Sequence, residues 1–245
     1  MRLKASFCVK DRRLPARFGT FQNISDGGYA RGYAQGYAEG AASVEDYSQY
    51  ATTIAFADWN LFGKSEVEVT LHDSLTSWVG IFKQSNINTT VTHLTVNSDA
   101  LPAAMQSAFR GEISGITDTT LEHLTLNVDL SQSTSMDQIF RGMRHLKVID
   151  GTPIDCSSAT TLGAYAFYVC NSLEEVRFVP GTIPVSIGFG TSQKLSTESV
   201  QSIIDGLADL TGQTAQSLTF SKSTGQRLTD EQKAAITAKN WTLVY

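Results

Sequence analysis

Short apolar segments with the character of β-strands recur along most of this chain, and their spacing restricts the possible folds more than any other feature. One apolar residue from each segment gives spacings of 25, 30, 25, 27, 42 and 25, for the series Val69, Leu94, Leu124, Ile149, Val176, Leu218 and Leu243. A period in this range is typical of repeat architectures built from one supersecondary unit at a time. Since one such unit cannot bury its own apolar side, neighbouring units have to stack and share a core.

The intervals between these segments contain apolar residues at helical spacing. Residues 101–109, 136–143 and 199–210 place apolar side chains three or four positions apart, which predicts amphipathic helices. Ser196-Thr-Glu-Ser and Thr229-Asp-Glu-Gln match capping boxes that would begin the last two helices. The 42-residue interval contains a further apolar stretch, residues 185–189, which predicts an extra strand. A strand and a helix repeating at this period are typical of a leucine-rich solenoid, so we predict an α/β domain over residues 65–245 with a parallel sheet on one face.

The beginning of the chain has a different pattern. Apolar residues occupy alternate positions from Leu3 to Val9 and again from Leu14 to Phe18, on either side of Asp11-Arg12-Arg13. Alternation with period two around a polar break predicts a β-hairpin. Because an isolated hairpin is only marginally stable, residues 1–26 are predicted to attach to a neighbouring domain or to another protein.

Residues 27–64 contain a repeat of four residues that allows two interpretations. Its members are Gly28, Gly32, Gly36 and Gly40 together with Tyr29, Tyr33 and Tyr37. In a helix, each set would follow one stripe, and close contact between helices would offset the roughly 1 kcal/mol that each glycine costs. That interpretation predicts an oligomerisation helix and a homo-oligomer. The other interpretation is a flexible linker.

Composition excludes several classes of function. The net charge is −5; the first 17 residues carry +5 and the remainder −10, and an acidic body argues against general binding of nucleic acid. No apolar run approaches the roughly 20 residues of a membrane-spanning helix, and residues 5–9 are too short for a secretory signal. We therefore expect a protein kept in the cell or released by lysis. Cys8, Cys156 and Cys170 suggest no disulfide framework and are expected to be buried as small apolar residues.

One stretch of 20 residues resembles a known class of repeat. In residues 161–180, the features Leu162-Gly163, Ala166-Phe167, Cys170, Leu173, Val176 and Pro180 closely resemble the BspA-like leucine-rich repeats of bacteria. The neighbouring repeats keep the aromatic position at Phe109 and Phe140 without the cysteine. The resemblance covers about residues 65–245. It implies a leucine-rich-repeat fold and a role in adhesion or recognition, since members of this class are mostly exposed on surfaces.

A second resemblance concerns the opening of the chain. The alternating strand, then Leu14-Pro-Ala-Arg-Phe-Gly-Thr-Phe, Asp26-Gly-Gly-Tyr and the Gly/Tyr repeat, is similar to the openings of minor structural proteins of phages and prophages that infect Gram-positive bacteria. There such an opening leads into a variable C-terminal module. The resemblance implies a virion protein, made in the host cytoplasm, that contacts other virion proteins through its N-terminal segment.

Residues between the apolar positions of the strands are expected to project from the open face of the sheet. The predicted ligand-binding residues are His93, Thr95, His123, Thr125, Asp150, Glu175 and Arg177, and the predicted row continues to Ser217 and Thr219. Neighbouring strands lie about 4.8 Å apart, so His93 and His123 are expected to be neighbours. Two imidazoles with an acid could bind a metal, but a solvated polar face that contacts a host protein or glycan is the favoured interpretation, with no metal and no cofactor.

The sequence contains no motif that indicates catalysis. It has no Gly-x-Ser-x-Gly, no phosphate-binding loop and no His-Glu-x-x-His. We therefore predict a non-enzymatic virion protein of a bacteriophage tail, baseplate or head surface that displays a leucine-rich-repeat binding module. The alternative is an adhesion module on a bacterial surface, encoded by a bacterium or prophage and not part of a virion.

Overall fold

Parallel backbone segments, stacked in the order of the chain, form the framework of the molecule. The computed structural model describes residues 2–7, 65–71, 76–82, 91–111 and 120–245. A five-stranded sheet contains β1 (Arg2–Phe7), β2 (Glu66–Leu71), β3 (His93–Ser98), β4 (His123–Asn127) and β5 (Val148–Gly151), each paired in parallel with the next. A further parallel bridge joins Val148 to Glu175. The predicted segments around Leu94, Leu124, Ile149 and Val176 therefore lie side by side.

The register of this first sheet follows from burial. Val67 pairs with Leu94, Leu94 with Leu124 and Leu124 with Ile149, and all four side chains are buried. Alternation along each strand keeps one set of side chains in the core. Val69 was predicted to be the equivalent of Leu94, but its partner is Val96, because both Val67 and Val69 are buried and either one satisfies the pattern.

A second parallel row runs through the same units. Single bridges connect Ser77 to Ala104, Ala104 to Ser135 and Ser135 to Thr161. After a bridge from Gly163 to Ile187, the row becomes a three-stranded parallel sheet of β6 (Ile187–Phe189), β7 (Gln216–Phe220) and β8 (Trp241–Val244). The extra strand predicted in residues 185–189 is confirmed as β6.

This topology corrects the predicted equivalence of the last two segments. Leu218 pairs with Ile187 and with Leu243, so these residues belong to the second row and not to the row of Ile149 and Val176. The alternation of residues 216–220 fits either row, and the spacing of apolar residues predicted the wrong row for this segment.

Helices occupy the C-terminal part of the described chain. They are α1 (Thr197–Gly206), α2 (Lys222–Gln226) and α3 (Asp230–Ala238). The helix predicted within residues 199–210 is confirmed, and Thr229 forms the predicted capping box with Gln232. At the start of α1, Ser196 accepts a hydrogen bond from the Ser199 N–H, but its own N–H donates to the Glu174 carbonyl. The reciprocal half of the predicted capping box is therefore missing.

The helices predicted at 101–109 and 136–143 are wrong. Both segments are turns, in which Ser107 and Gln138 have φ values of 55° and 57° that an α-helix cannot contain. Their N–H groups bond to the next unit, as in Phe109 N–H to the Ile139 carbonyl at 2.8 Å. A chain that turns a corner around a core also buries residues three or four apart, and this spacing mimicked a helix.

A stack of phenylalanines connects the units internally. Successive ring centroids lie 4.5–6.1 Å apart along the series Phe82, Phe109, Phe140, Phe167, Phe189 and Phe220, and all six side chains are buried. Each such pair adds about 0.5–1.5 kcal/mol beyond the burial of area. Cys156 and Cys170 are free and buried as predicted, and burial raises the pKa of the Cys170 thiol to about 12.

The N-terminal strand belongs to the same sheet as the units that follow. β1 pairs in parallel with β2, with Leu3 opposite Val67. The second arm of the predicted hairpin, the Gly/Tyr repeat and Cys8 lie outside the described residues. None of the helices within the described ranges is long and apolar enough to span a membrane.

Candidate functional site

The outward side of the first sheet brings together five of the seven predicted binding residues. His93 pairs with His123, and Thr95 with Thr125; Thr125 in turn pairs with Asp150. Each of these residues follows or precedes a buried core residue, so strand alternation directs its side chain away from the core. We call these five residues the histidine face.

The two imidazoles are neighbours, as predicted. Their ring centroids lie 5.4 Å apart, with an angle of 37° between the planes. The hydroxyl of Thr92 lies 2.9 Å from His93 Nδ1, which orients that ring. His93 is exposed and His123 is half-buried, so one edge of the pair faces solvent.

A carboxylate completes the group. His123 Nε2 lies 2.9 Å from Asp150 Oδ2. The other oxygen, Asp150 Oδ1, is buried and has no hydrogen-bond partner among the described residues. An unsatisfied buried acceptor is unfavourable by about 1–3 kcal/mol.

A shallow depression of about 180 Å³ lies over the histidine pair. It is lined by Glu66, Val67, His93, Leu94, Thr95, His123 and Thr125. Its volume is below the roughly 300–1,000 Å³ of sites that enclose a small molecule. It therefore suits one polar group of a larger ligand, such as a side chain or one sugar unit.

Two interactions beside the histidine face were missed in the sequence. Asn127 donates its amide to Asn97 at 2.8 Å, and Asn97 donates to Glu68 at 3.1 Å, which forms a row of polar side chains across three strands. The identical pattern His-Leu-Thr-x-Asn at residues 93–97 and 123–127 was the available signal. This row braces the far ends of the strands that carry the histidines.

The second missed interaction is an ion pair. Lys147 Nζ lies 2.7 Å from Glu122 Oε2, next to the first residue of β4 and of β5. The Lys147 ammonium lowers the pKa of Glu122, and the carboxylate raises the pKa of Lys147. Exposed pairs of this kind add little stability, so the pair mainly links the segments that lead into β4 and β5.

Glu175 and Arg177 are not joined to the histidine face. Bridges connect Val148 to Glu175 and Ile154 to Phe178, so between the bridges five residues on one segment oppose two on the other and the ladder is interrupted beside Asp150. Both side chains are exposed, and within the described residues no side-chain contact links them to His123 or Asp150. Ser217 and Thr219 lie on β7 of the second sheet, which corrects their predicted place in this row.

The described part of the chain contains no group of three or more His, Cys, Asp or Glu residues arranged to hold a metal ion. His93, His123 and Asp150 are near one another, but the His123 nitrogen that faces Asp150 already contacts its carboxylate. The predicted attachment residues of the Gly/Tyr repeat lie outside the described residues.

Comparisons of the chain with protein-family models, with curated proteins and with solved structures found no match. The assignment of function therefore depends on the geometry above and on the two sequence resemblances.

Proposed function

We propose that this chain is a non-enzymatic recognition protein that binds a host surface protein or glycan through the histidine face. The observation that carries this proposal is the alignment of His93 with His123, at 5.4 Å between ring centroids, over a depression of about 180 Å³. Three adjacent parallel strands hold these side chains, so the group is preorganised, which reduces the entropic cost of binding.

We further propose that residues 65–245 form a leucine-rich-repeat domain. Two observations support this. The units stack in parallel around one continuous series of phenylalanines. Six of the eight positions that resemble the BspA-like repeat are also buried, namely Leu162, Ala166, Phe167, Cys170, Leu173 and Val176; Gly163 is half-buried and Pro180 is exposed. In this proposal, the degenerate repeats preserve the phenylalanine and lose the cysteine.

The chain is proposed to act on a bacteriophage particle, with the N-terminal segment facing other virion proteins. The support is the resemblance of its opening to minor structural proteins of phages. Mass spectrometry of particles purified from the encoding phage or induced prophage tests the location. Peptides of the chain at a defined stoichiometry are expected; their absence from intact particles would favour the adhesion module on a bacterial surface.

Binding to host cells tests the histidine face separately. The labelled full chain is titrated onto whole host cells, and the variant His93→Ala/His123→Ala is compared with Thr242→Ala, which removes an exposed hydroxyl from β8. Loss of contacts to two polar side chains is expected to weaken binding by about tenfold or more. Equal binding by the double variant and the control would overturn this site.

A further inference from the structure

An arginine and two tyrosines form a second cluster, away from the histidine face. Arg141 Cζ lies 5.1 Å from the ring centroid of Tyr165 and 5.8 Å from that of Tyr168. The two rings are 5.5 Å apart and perpendicular, at 89°. The residues come from adjacent turns, which are tied together by the 2.7 Å hydrogen bond from Gly142 N–H to the Tyr168 carbonyl.

The positive charge of the cluster is not in direct contact with a carboxylate. Arg141 Nη1 donates to Gln138 Oε1 at 2.7 Å, and the Gln138 amide in turn donates to Asp137 Oδ2 at 2.8 Å. No acidic side chain of the described residues forms an ion pair with Arg141 itself. Its Nε atom is buried, so only Nη1 and Nη2 can reach an external group. A guanidinium fixed by two aromatic rings and an amide loses little entropy when it binds an anion.

Both tyrosine rings are exposed, so packing against the protein core does not account for them. Tyr165 is 51% exposed and Tyr168 39% exposed. Stacking of Arg141 on the rings alone stabilises the fold only weakly at an exposed site. Two large aromatic surfaces next to an unpaired cation instead have the composition of a binding site for an anionic group attached to an apolar surface.

We propose that Arg141, Tyr165 and Tyr168 bind an acidic sugar unit of a polysaccharide. The anionic group of the sugar would accept hydrogen bonds from Nη1 and Nη2 of Arg141, and its carbon-bound hydrogens would pack on a tyrosine ring. This site lies on the turns and goes beyond the proposed function of the histidine face.

A polysaccharide fits the cluster better than a protein does. The large apolar side chains exposed among the described residues are Val79, Leu101, Tyr165, Tyr168, Val244 and Tyr245, and among these only Tyr165 and Tyr168 form a ring contact. A stable protein interface covers about 800 Å² on each partner. Two rings and one guanidinium provide an area closer to that of one or two sugar units.

The test uses isothermal titration of the full chain with three polymers. Polygalacturonate supplies sugar rings with carboxylates, poly(glycerol phosphate) supplies anions without sugar rings, and dextran supplies neutral rings. The strongest binding is expected for polygalacturonate. If polygalacturonate binds no more tightly than dextran, Arg141 has no role in binding. If poly(glycerol phosphate) binds more tightly than polygalacturonate, the tyrosine rings have none.

Variants locate the site. Arg141→Ala is expected to lower the affinity for polygalacturonate by about tenfold or more, since charged hydrogen bonds are lost. Arg141→Lys keeps the charge but removes the planar pair of guanidinium donors. It is expected to lower the affinity for polygalacturonate several-fold with the fold intact. Tyr165→Ala should also weaken binding. Lys194→Ala, which removes one exposed positive charge elsewhere, serves as the control.

Two results would overturn the proposal. The first is an equal loss of affinity in Lys194→Ala and Arg141→Ala with no loss in Arg141→Lys, which would indicate attraction by net charge alone. The second is loss of polygalacturonate binding in His93→Ala/His123→Ala, which would place the ligand on the histidine face. Failure of host-cell binding by the histidine variant bears on the proposed function and leaves this site unaffected.

Discussion

The units that precede residue 179 and those that follow it solve the same packing problem with different elements. In the first part, β3, β4 and β5 precede segments of the second row that pair through single bridges. In the second part, α1 and α3 precede β7 and β8, and the second row is a regular sheet. The phenylalanine stack continues through both parts, so the core alone does not decide between strand and helix.

The local sequence determines whether a strand or a helix forms in each part. Residues 93–97 alternate with period two, whereas Val200, Ile203, Ile204 and Leu207 follow the helical period. The junction is closed by side chains: the hydroxyls of Ser199 and Ser202 on α1 accept hydrogen bonds, each of 3.0 Å, from the N–H groups of Val176 and Phe178. A helix can therefore end a parallel sheet without leaving these edge donors unsatisfied.

The largest expected effect comes from Phe140→Ala in the first part. Phe140 has ring neighbours on both sides, Phe109 at 5.5 Å and Phe167 at 5.2 Å, and the deletion leaves a cavity that should lower the free energy of unfolding by about 3–5 kcal/mol. Chemical denaturation of the variant and of the wild type measures it. Phe220→Ala, in which one ring partner in the stack is lost, is the comparison.

If the stack is a shared spine, Phe140→Ala destabilises more than Phe220→Ala. A larger effect at Phe220 would show that the sheet of β6, β7 and β8 carries most of the stability, and that the first part depends on it.

A smaller loss of stability is expected when a glycine with positive φ is replaced by alanine. One such glycine in each part of the molecule separates the cost of backbone strain from the cost of crowding. Gly151, at the end of β5, has φ +91°, and a Cβ there would lie 2.7 Å from the Leu126 carbonyl oxygen. Gly212 in the second part has φ +78° and open space around it. Gly151→Ala is expected to cost about 2–3 kcal/mol, and Gly212→Ala about 1–2 kcal/mol, both measured by denaturant unfolding. Equal losses of stability in the two variants would mean that the backbone at the C-terminal end of β5 moves readily to accommodate the added Cβ.

The sequence contained most of the first sheet and its polar face. Period two identified the strands, and the equivalence of Leu94 and Leu124, each preceded by a histidine, placed His93 beside His123. The hydrogen bond from His123 to Asp150 could not be derived, because it depends on the rotamer of each side chain as well as on register. The separation of Arg177 from Asp150 arises from extra residues between Val148 and Ile154, which spacing between apolar positions does not detect.

The wrong predictions in the second row have one common cause, which is that each pattern of buried residues fits two different structures. Buried residues three or four apart fit a helix and also a tight corner, and residues 216–220 alternate in the same way as residues of the first sheet. The phenylalanines would have resolved the second case. Phe220 continues the series Phe109, Phe140, Phe167 and Phe189, and each of the earlier members follows or lies in a second-row segment.

The smallest expected effect tests how α1 ends. Lys239 Nζ donates to the carbonyls of Ile204, Asp205 and Leu207 at 3.0, 3.0 and 2.8 Å. The Ile204 and Asp205 carbonyls also accept the N–H groups of Leu207 and Gly181, so the ammonium adds a charged donor at the C-terminal end of α1, where a positive charge is favourable. Lys239→Met keeps the apolar stem and is expected to lower the free energy of unfolding by about 1–2 kcal/mol. Lys233→Met removes a lysine whose contact with Asp230 at 3.5 Å is exposed, and should change it by less than about 0.5 kcal/mol. Hydrogen exchange should become faster at the C-terminal end of α1 and stay unchanged in β3 and β4. Equal destabilisation by the two variants would mean that water replaces Lys239 at these carbonyls, and that α1 needs no contact from the next unit to cover the edge of the first sheet.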